Sequence, residues 1–196
     1  MKCYTLIALC AISFVLSACS RKSEQAALAQ IEPENPRIPV EWNIDDITKV
    51  VGYRFRIPGE DAKGNHPTGS FTLCRDSKVD IATLEKLKDA SVELDSAQTR
   101  LLLDLVFSDA EPLPHVACYS PHQIFVFYDS EGAAKRAVEI CFLCNGVVTV
   151  PSLPEAQWRK HDLMALAKLC SELGTWADYQ KIEDYIPPFT EGWEPE

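Results

Sequence analysis

Four residues have the side chains and the spacing that suit metal or sulfur chemistry: Cys118, His122, Cys141 and Cys144. Cys141 and Cys144 form a Cys-x-x-Cys pair followed by Asn145-Gly146, and in structural zinc sites a turn of this kind directs both sulfurs at one ion. Cys118 and His122 would complete a tetrahedral set of ligands. The spacing therefore indicates a candidate zinc site.

A disulfide is the simpler use of the same sulfurs, and it is the one that we favour. Cys3, Cys10 and Cys19 belong to the N-terminal signal and its lipid site, so five of the eight cysteines remain for the folded part. An odd number in an oxidising compartment leaves at least one of them outside any internal disulfide. Thiol–disulfide exchange is a third alternative. It is disfavoured because reactive Cys-x-x-Cys pairs sit at a helix N-terminus, whereas this pair follows a strand pattern.

The strands that must position these residues follow from hydrophobic periodicity. Alternating apolar and polar residues predict a strand at 49–57, and a short strand at 70–74 follows a Gly/Pro/Asn loop. An antiparallel three-stranded meander is predicted near 124–150, with strands at 124–129, 137–144 and 147–150. The second hairpin of this meander turns at Asn-Gly, directly after the Cys-x-x-Cys pair.

The helices are predicted from their capping residues. Asp80 is expected to cap a first helix, and Asp95 with Gln98 has the spacing of a capping box that opens a second. A last helix covers about 162–173 and stops at Gly174. Because strands and helices are segregated along the chain, we predict an α+β fold: one small domain with an antiparallel sheet and about three packed helices.

The register of the meander decides which cysteines can meet. Its predicted pairing places Cys118 beside Cys144 and His122 opposite Cys141. If the strand is regular, Cys141 and Cys144 project from opposite faces about 10 Å apart, which is beyond the roughly 7 Å between Cα atoms that a disulfide spans. We therefore expect a disulfide from Cys118 to Cys144 or to Cys141.

Cys19 carries the clearest targeting information. A basic start and an apolar stretch precede Leu16-Ser17-Ala18-Cys19, and the chain becomes polar immediately afterwards. This ending resembles the lipobox of bacterial lipoproteins, in which the cysteine becomes the lipid-bearing N-terminus. The resemblance implies a signal peptide at 1–18 and lipidation of Cys19. Ser20 at the next position favours the outer membrane, where we expect the protein to face the periplasm.

Composition divides the rest of the chain into a tether, a domain and a tail. Residues 19–40 are polar, Ala-rich and then Pro-rich, as is typical of a flexible or semi-rigid spacer. The folded domain is predicted at 41–185. Residues 186–196 form an acidic tail that is interrupted by prolines.

The charge of the chain excludes two classes of partner. Its 29 acidic and 19 basic residues give a formal net charge of −10. Nucleic acids and anionic headgroups both require clustered Lys and Arg, so we expect no nucleic-acid partner. Contact with the membrane is expected through the N-terminal lipid alone, and a protein or small-molecule partner stays unidentified.

Three stretches resemble a family of uncharacterised bacterial proteins, many of them lipoproteins. The shared core reads Cys-Tyr-x-Pro, a strand ending in Phe-Tyr-Asp, and then Ile-Cys-Phe-x-Cys. In this chain these stretches are residues 118–121, 127–129 and 140–144, and His122-Gln123 stand where the family has Arg-His. The resemblance implies a shared fold and no particular activity.

Taken together, the residues favour a lipoprotein that is not an enzyme and that serves as a binding or structural module of the cell envelope. We identify no catalytic residue and expect no cofactor. The alternative is a metal-binding protein or metal-dependent enzyme, which would hold zinc with Cys118, Cys141, Cys144 and His122.

Overall fold

A five-stranded antiparallel sheet lies at the centre of the fold. The structure is a computed structural model, and it describes residues 38–61, 70–110, 119–152 and 161–176. The strand order in the sheet is β4-β1-β5-β6-β7, and β2 pairs with β3 in a separate hairpin. The strands are β1 (Lys49–Phe55), β2 (Cys74–Arg75), β3 (Lys78–Val79), β4 (Lys88–Leu94), β5 (Gln123–Tyr128), β6 (Ala134–Cys141) and β7 (Gly146–Val150). The predicted α+β class and the antiparallel meander β5-β6-β7 are confirmed.

Three α-helices lie within the described residues. The first two begin at their predicted caps, and the third begins close to the predicted position 162. They are α1 (Ile81–Leu87), α2 (Ser96–Val106) and α3 (Leu163–Glu172). The Asp80 and Asp162 side chains accept hydrogen bonds from backbone N–H groups of the first turn. Asp95 and Gln98 form the predicted capping box in both directions. Gly174, at φ 71°, follows the last helix in the left-handed conformation that favours glycine.

Strand β5 is buried on both sides, and this explains the apolar run at residues 124–128. Its six residues are all buried, with Ile124 and Val126 in one core and Phe125 and Phe127 in the other. The core around the two phenylalanines is covered by α2 and α3, and the core around Ile124 is covered by α1 and the β2–β3 hairpin. A strand that is covered on both faces needs no polar alternation.

One short strand was misplaced and one strand was missed. The predicted strand at 70–74 is wrong, because only Cys74–Arg75 pairs, with β3. Strand β4, which forms an edge of the sheet, was not predicted. Its outward residues are exposed, and its polar sequence follows helix α1 without a turn signal. Edge strands are often polar because one side meets water. The sequence of β4 therefore lacks the alternating apolar residues by which a strand is predicted.

The tight turn predicted at Asn145-Gly146 is wrong, because Gly146 already pairs with Cys141 and the turn spans residues 142–145. The β5–β6 hairpin has the predicted register. Gln123 pairs with Ile140 and Phe125 with Val138, which continues to His122 opposite Cys141. Near the turn the register shifts by one residue between Phe127 and Tyr128, where an irregularity in β6 takes up the extra residue. The predicted strand at 137–144 is too long, because β6 ends at Cys141.

Several expectations lie outside the described residues. These are the signal peptide at 1–18, lipidation of Cys19, all but the end of the tether at 19–40, and the tail at 186–196. Within the described parts of the chain, no helix is long and apolar enough to cross a membrane.

Candidate functional site

Cys141 and Cys144 form a disulfide with each other. Their Cα atoms are 5.6 Å apart, because the chain leaves β6 after Cys141 and turns before β7 begins at Gly146. Asn145 adopts φ 53° in this turn, a conformation that asparagine tolerates better than most residues. The expected bond from Cys118 to either residue is therefore wrong in its pairing. Cys118 itself lies outside the described residues.

The disulfide is enclosed by the segment that leads into β5. Both cysteines are fully buried, and the Ser120 backbone N–H lies 3.3 Å from Cys141 Sγ. The Tyr119 ring packs against the hairpin so closely that a Cβ at Gly146 would lie 3.1 Å from its Cε2 atom. A side chain at position 146 would therefore require the Tyr119 ring to shift.

His122 is paired with a carboxylate that the sequence did not single out. Its Nε2 atom lies 2.9 Å from Oε1 of Glu60, and the two side chains are only 3% and 1% exposed. The second oxygen, Glu60 Oε2, accepts a hydrogen bond from the Ile57 backbone N–H at 2.9 Å. The Phe55 ring stacks on the imidazole with centroids 6.5 Å apart. The pair therefore joins the loop after β1 to the start of β5.

The structure brings the four candidate zinc ligands together only in part. Cys141 and Cys144 are disulfide sulfurs, not thiolates, and His122 contacts Glu60. Across the residues that the structure describes, no group of three or more His, Cys, Asp or Glu side chains could hold a metal ion. A zinc ion on this Cys-x-x-Cys pair would require the reduced form, and the zinc site stays a prediction.

A second buried carboxyl, Glu139, lies on the same face of the sheet as the disulfide. It is 0% exposed, and it is two residues before Cys141 in β6. Its Oε2 accepts a hydrogen bond from Thr72 Oγ1 at 2.6 Å, and its Oε1 accepts from the Leu73 backbone N–H at 2.7 Å. Burial raises the pKa of the Glu139 carboxyl to about 7, although these hydrogen bonds act in the opposite direction.

Two buried cysteines keep free thiols. They are Cys74, in β2, and Cys170, on the core side of α3. Burial raises the pKa of both thiols, that of Cys170 to about 12. A thiol that stays protonated at neutral pH is a poor nucleophile, so both thiols are poorly placed to react.

Sequence reasoning missed both buried carboxyls, and only one of them left a signal. Glu139 interrupts the apolar run Ala137-Val138-Glu139-Ile140-Cys141, and a charged residue inside a strand that is buried on both faces requires partners. Glu60 lies in a Pro-Gly-Glu loop, where a solvated acid is the ordinary interpretation. No local pattern distinguishes it, because its partner His122 is 62 residues away.

Removal of the disulfide is expected to lower stability moderately. Closing a four-residue loop in the unfolded chain contributes about 2 kcal/mol, so Cys141→Ala/Cys144→Ala should lose about that much free energy of unfolding. Denaturant unfolding of both proteins, with and without a reductant, measures this loss. The reductant should destabilise the wild type and leave the double variant unchanged. Intact mass without the loss of two hydrogens, or with stoichiometric zinc, would contradict the disulfide.

Comparison with protein-family models, with curated proteins and with solved structures gave no match for this chain.

Proposed function

We propose that this protein is a lipid-anchored component of the bacterial cell envelope, and that its folded domain acts as a binding or structural module rather than as an enzyme. One observation carries the second part of the proposal. Among the described residues, the side chains best suited to acid–base or sulfur chemistry are buried, and their polar atoms contact other parts of the protein. The disulfide sulfurs, the His122–Glu60 pair and the Glu139 carboxyl all serve internal contacts.

These contacts are of the kind that stabilise a scaffold. Two of them join segments that are distant in the sequence: Glu60 to His122 across 62 residues, and Leu73 to Glu139 across 66. The disulfide closes the turn between β6 and β7. A catalytic acid or nucleophile must instead reach a substrate. Buried polar groups with satisfied partners make an interior rigid, and a rigid interior supports a surface that other molecules bind.

The anchor is argued from Cys19 and its neighbours. A lipobox-type cysteine would carry several acyl chains, and each buried methylene contributes roughly 0.8 kcal/mol to membrane binding. Such an anchor is stable without a transmembrane helix. The net charge of −10 also disfavours binding of the domain itself to anionic headgroups.

Acyl labelling tests the anchor. In cells fed a labelled palmitate, the wild-type chain should incorporate the label, and Cys19→Ala should lose it completely because the acceptor sulfur is absent. Cys10→Ala is the matched control, since it removes a cysteine of the signal and should leave labelling intact. Label that persists in Cys19→Ala would contradict lipidation at this residue.

Membrane fractionation tests the proposed outer-membrane localisation. The wild type should sediment with the outer membrane, and Ser20→Asp should move the protein to the inner membrane if the lipoprotein sorting rule applies. Turnover by the purified protein in hydrolase or redox assays, lost in variants of the buried groups, would contradict the non-enzymatic role.

A further inference from the structure

The Glu139 carboxyl joins the sheet to a separate part of the fold. It projects from β6 and binds Thr72 Oγ1 and the Leu73 N–H, which immediately precede the β2–β3 hairpin. We call residues 72–79 the latch segment. Leu73 is 0% exposed, and Asp80, the cap of α1, donates its backbone N–H to the Leu73 carbonyl at 2.8 Å. One carboxyl therefore fixes the segment that leads into α1.

The hydrogen bonds of Thr72 suit a protonated carboxyl better than an ionised one. Thr72 Oγ1 lies within donor range of both Glu139 Oε2 and the Cys74 carbonyl, at 2.6 and 3.2 Å, and it accepts from the Cys74 N–H at 3.0 Å. A hydroxyl has one hydrogen, so beside a carboxylate it can satisfy only one of the two acceptors. If Glu139 carries the proton, it donates to Thr72, and Thr72 donates to Cys74. All of these contacts are then hydrogen bonds, and no charge is buried.

We propose that Glu139 is a pH-sensitive latch, which holds residues 72–79 on the sheet more tightly when its carboxyl is protonated. When the segment opens, the carboxyl meets water and regains the ordinary acidity of a glutamate. Its pKa is about 7 in the docked state against 4.5 for the ordinary group. The docked state thus binds more protons between these two values, so docking weakens as pH rises from 4.5 to 7 and is constant above.

The groups that face Glu139 do not reverse this direction. From the latch segment, the Cys74 thiol is neutral, since burial raises its pKa further above neutrality, and the Arg75 guanidinium exerts a weaker opposing attraction. From the segment before β5, the Tyr119 phenol donates to the Glu139 backbone carbonyl at 3.1 Å and stays neutral. The neighbouring residues in β5 and β7 are Ile124 and Val148, which carry no charge.

His122 is a further titratable group on this face, as are the Tyr53 and Tyr128 phenols. It lies two positions before Ile124, the residue opposite Glu139, and its imidazole is bound to Glu60. Its contact with Glu60 lies near the start of β5, away from Thr72 and Leu73. A change in that contact and a change in the latch are therefore separable by where amide protection changes.

Hydrogen exchange of the purified full-length chain tests the latch. After correction for intrinsic exchange, we expect the opening constant of the Leu73 and Cys74 amides to be on the order of 50- to 100-fold larger at pH 8 than at pH 5. Amides of α2, which packs on the other face of the sheet, serve as the internal reference and should not follow this change. Glu139→Gln mimics the protonated state, because its amide can donate to Thr72 and accept from Leu73. It should give strong protection at both pH values.

Two further measurements keep the test decisive. Glu93→Gln, at an exposed position of β4, is the matched control and should retain the wild-type pH dependence. The carboxyl ¹³C signal of Glu139 in the wild type reports its titration directly, even if Glu139→Gln does not fold. Titration at the ordinary glutamate value would overturn the proposal, and so would pH dependence that is unchanged in Glu139→Gln.

Discussion

Replacement of Glu60 by alanine is expected to lower the free energy of unfolding by about 3–5 kcal/mol. The substitution leaves the His122 imidazole, 3% exposed, without its carboxylate partner. It also removes the acceptor of the Ile57 N–H. A buried polar group that loses its partner costs more than the intact pair contributed. Chemical denaturation monitored by tryptophan fluorescence measures the loss.

Two further variants separate the causes of this effect. Glu60→Gln retains a carbonyl oxygen for the Ile57 N–H, so it should lose less stability than Glu60→Ala. Glu93→Ala removes an exposed glutamate from β4 and should change stability by less than about 0.5 kcal/mol. If Glu60→Ala lost no more than Glu93→Ala, the buried pair would have no structural importance.

Replacement of Gly52 by valine is expected to cost about 3 kcal/mol through steric overlap. Gly52 lies in the middle of β1, between Val92 of β4 and Phe125 of β5. A Cβ atom there would lie 2.8 Å from Phe125 Cε1 and 3.4 Å from Leu94 Cδ1. Because the Phe125 ring is fully buried, it has little room to move away. Valine favours strands, so the loss cannot come from strand propensity.

A double-mutant cycle identifies the ring as the cause. Phe125→Leu removes the atoms that overlap, so Gly52→Val/Phe125→Leu should be more stable than the sum of the two single effects predicts. Thermal unfolding of the four proteins gives this interaction energy. Additive losses would show that the cost of valine arises somewhere other than at the Phe125 ring.

The two buried carboxyls place different constraints on the protein. Glu60 is bound to a basic side chain, so its loss should act on the whole domain. Glu139 is bound to a hydroxyl and a backbone N–H, contacts that a neutral acid can also make. We therefore expect Glu60 to control global stability and Glu139 to control one segment in response to pH. Global unfolding and local hydrogen exchange measure these two effects separately.

The best-predicted parts of the fold are those whose cause is local. The caps of α1 and α2 depend on side chains within three residues of the amides that they bind. The β5–β6 hairpin follows from two apolar runs and the polar turn between them, so its register was also predictable. The turn of the second hairpin was misplaced, because Gly146 already belongs to β7. Strand β4 was missed because its sequence is mostly polar and shows no alternation of apolar residues. It forms a strand because it pairs with β1, and this partner is distant in the sequence.

The cysteines show where local reasoning fails. Cys141 and Cys144 were placed on opposite faces because the strand was assumed to run through both of them. The strand ends at Cys141, and a turn of a few residues reverses that geometry. The residue at which a strand gives way to a turn is hard to predict from local sequence. A spacing argument that depends on one such boundary is therefore unreliable.

By itself, the sequence determined the α+β class, the helix starts, the meander and the expectation of a lipid on Cys19, because periodicity, capping and signal motifs act over a few residues. Only the tertiary structure decided that Cys141 bonds Cys144, that His122 meets Glu60 and that Glu139 holds residues 72–79. The pairings of His122 and Glu139 join positions more than 60 residues apart. Burial and partner are properties of the packed chain, so the chemistry of these side chains could not be derived before the fold was known.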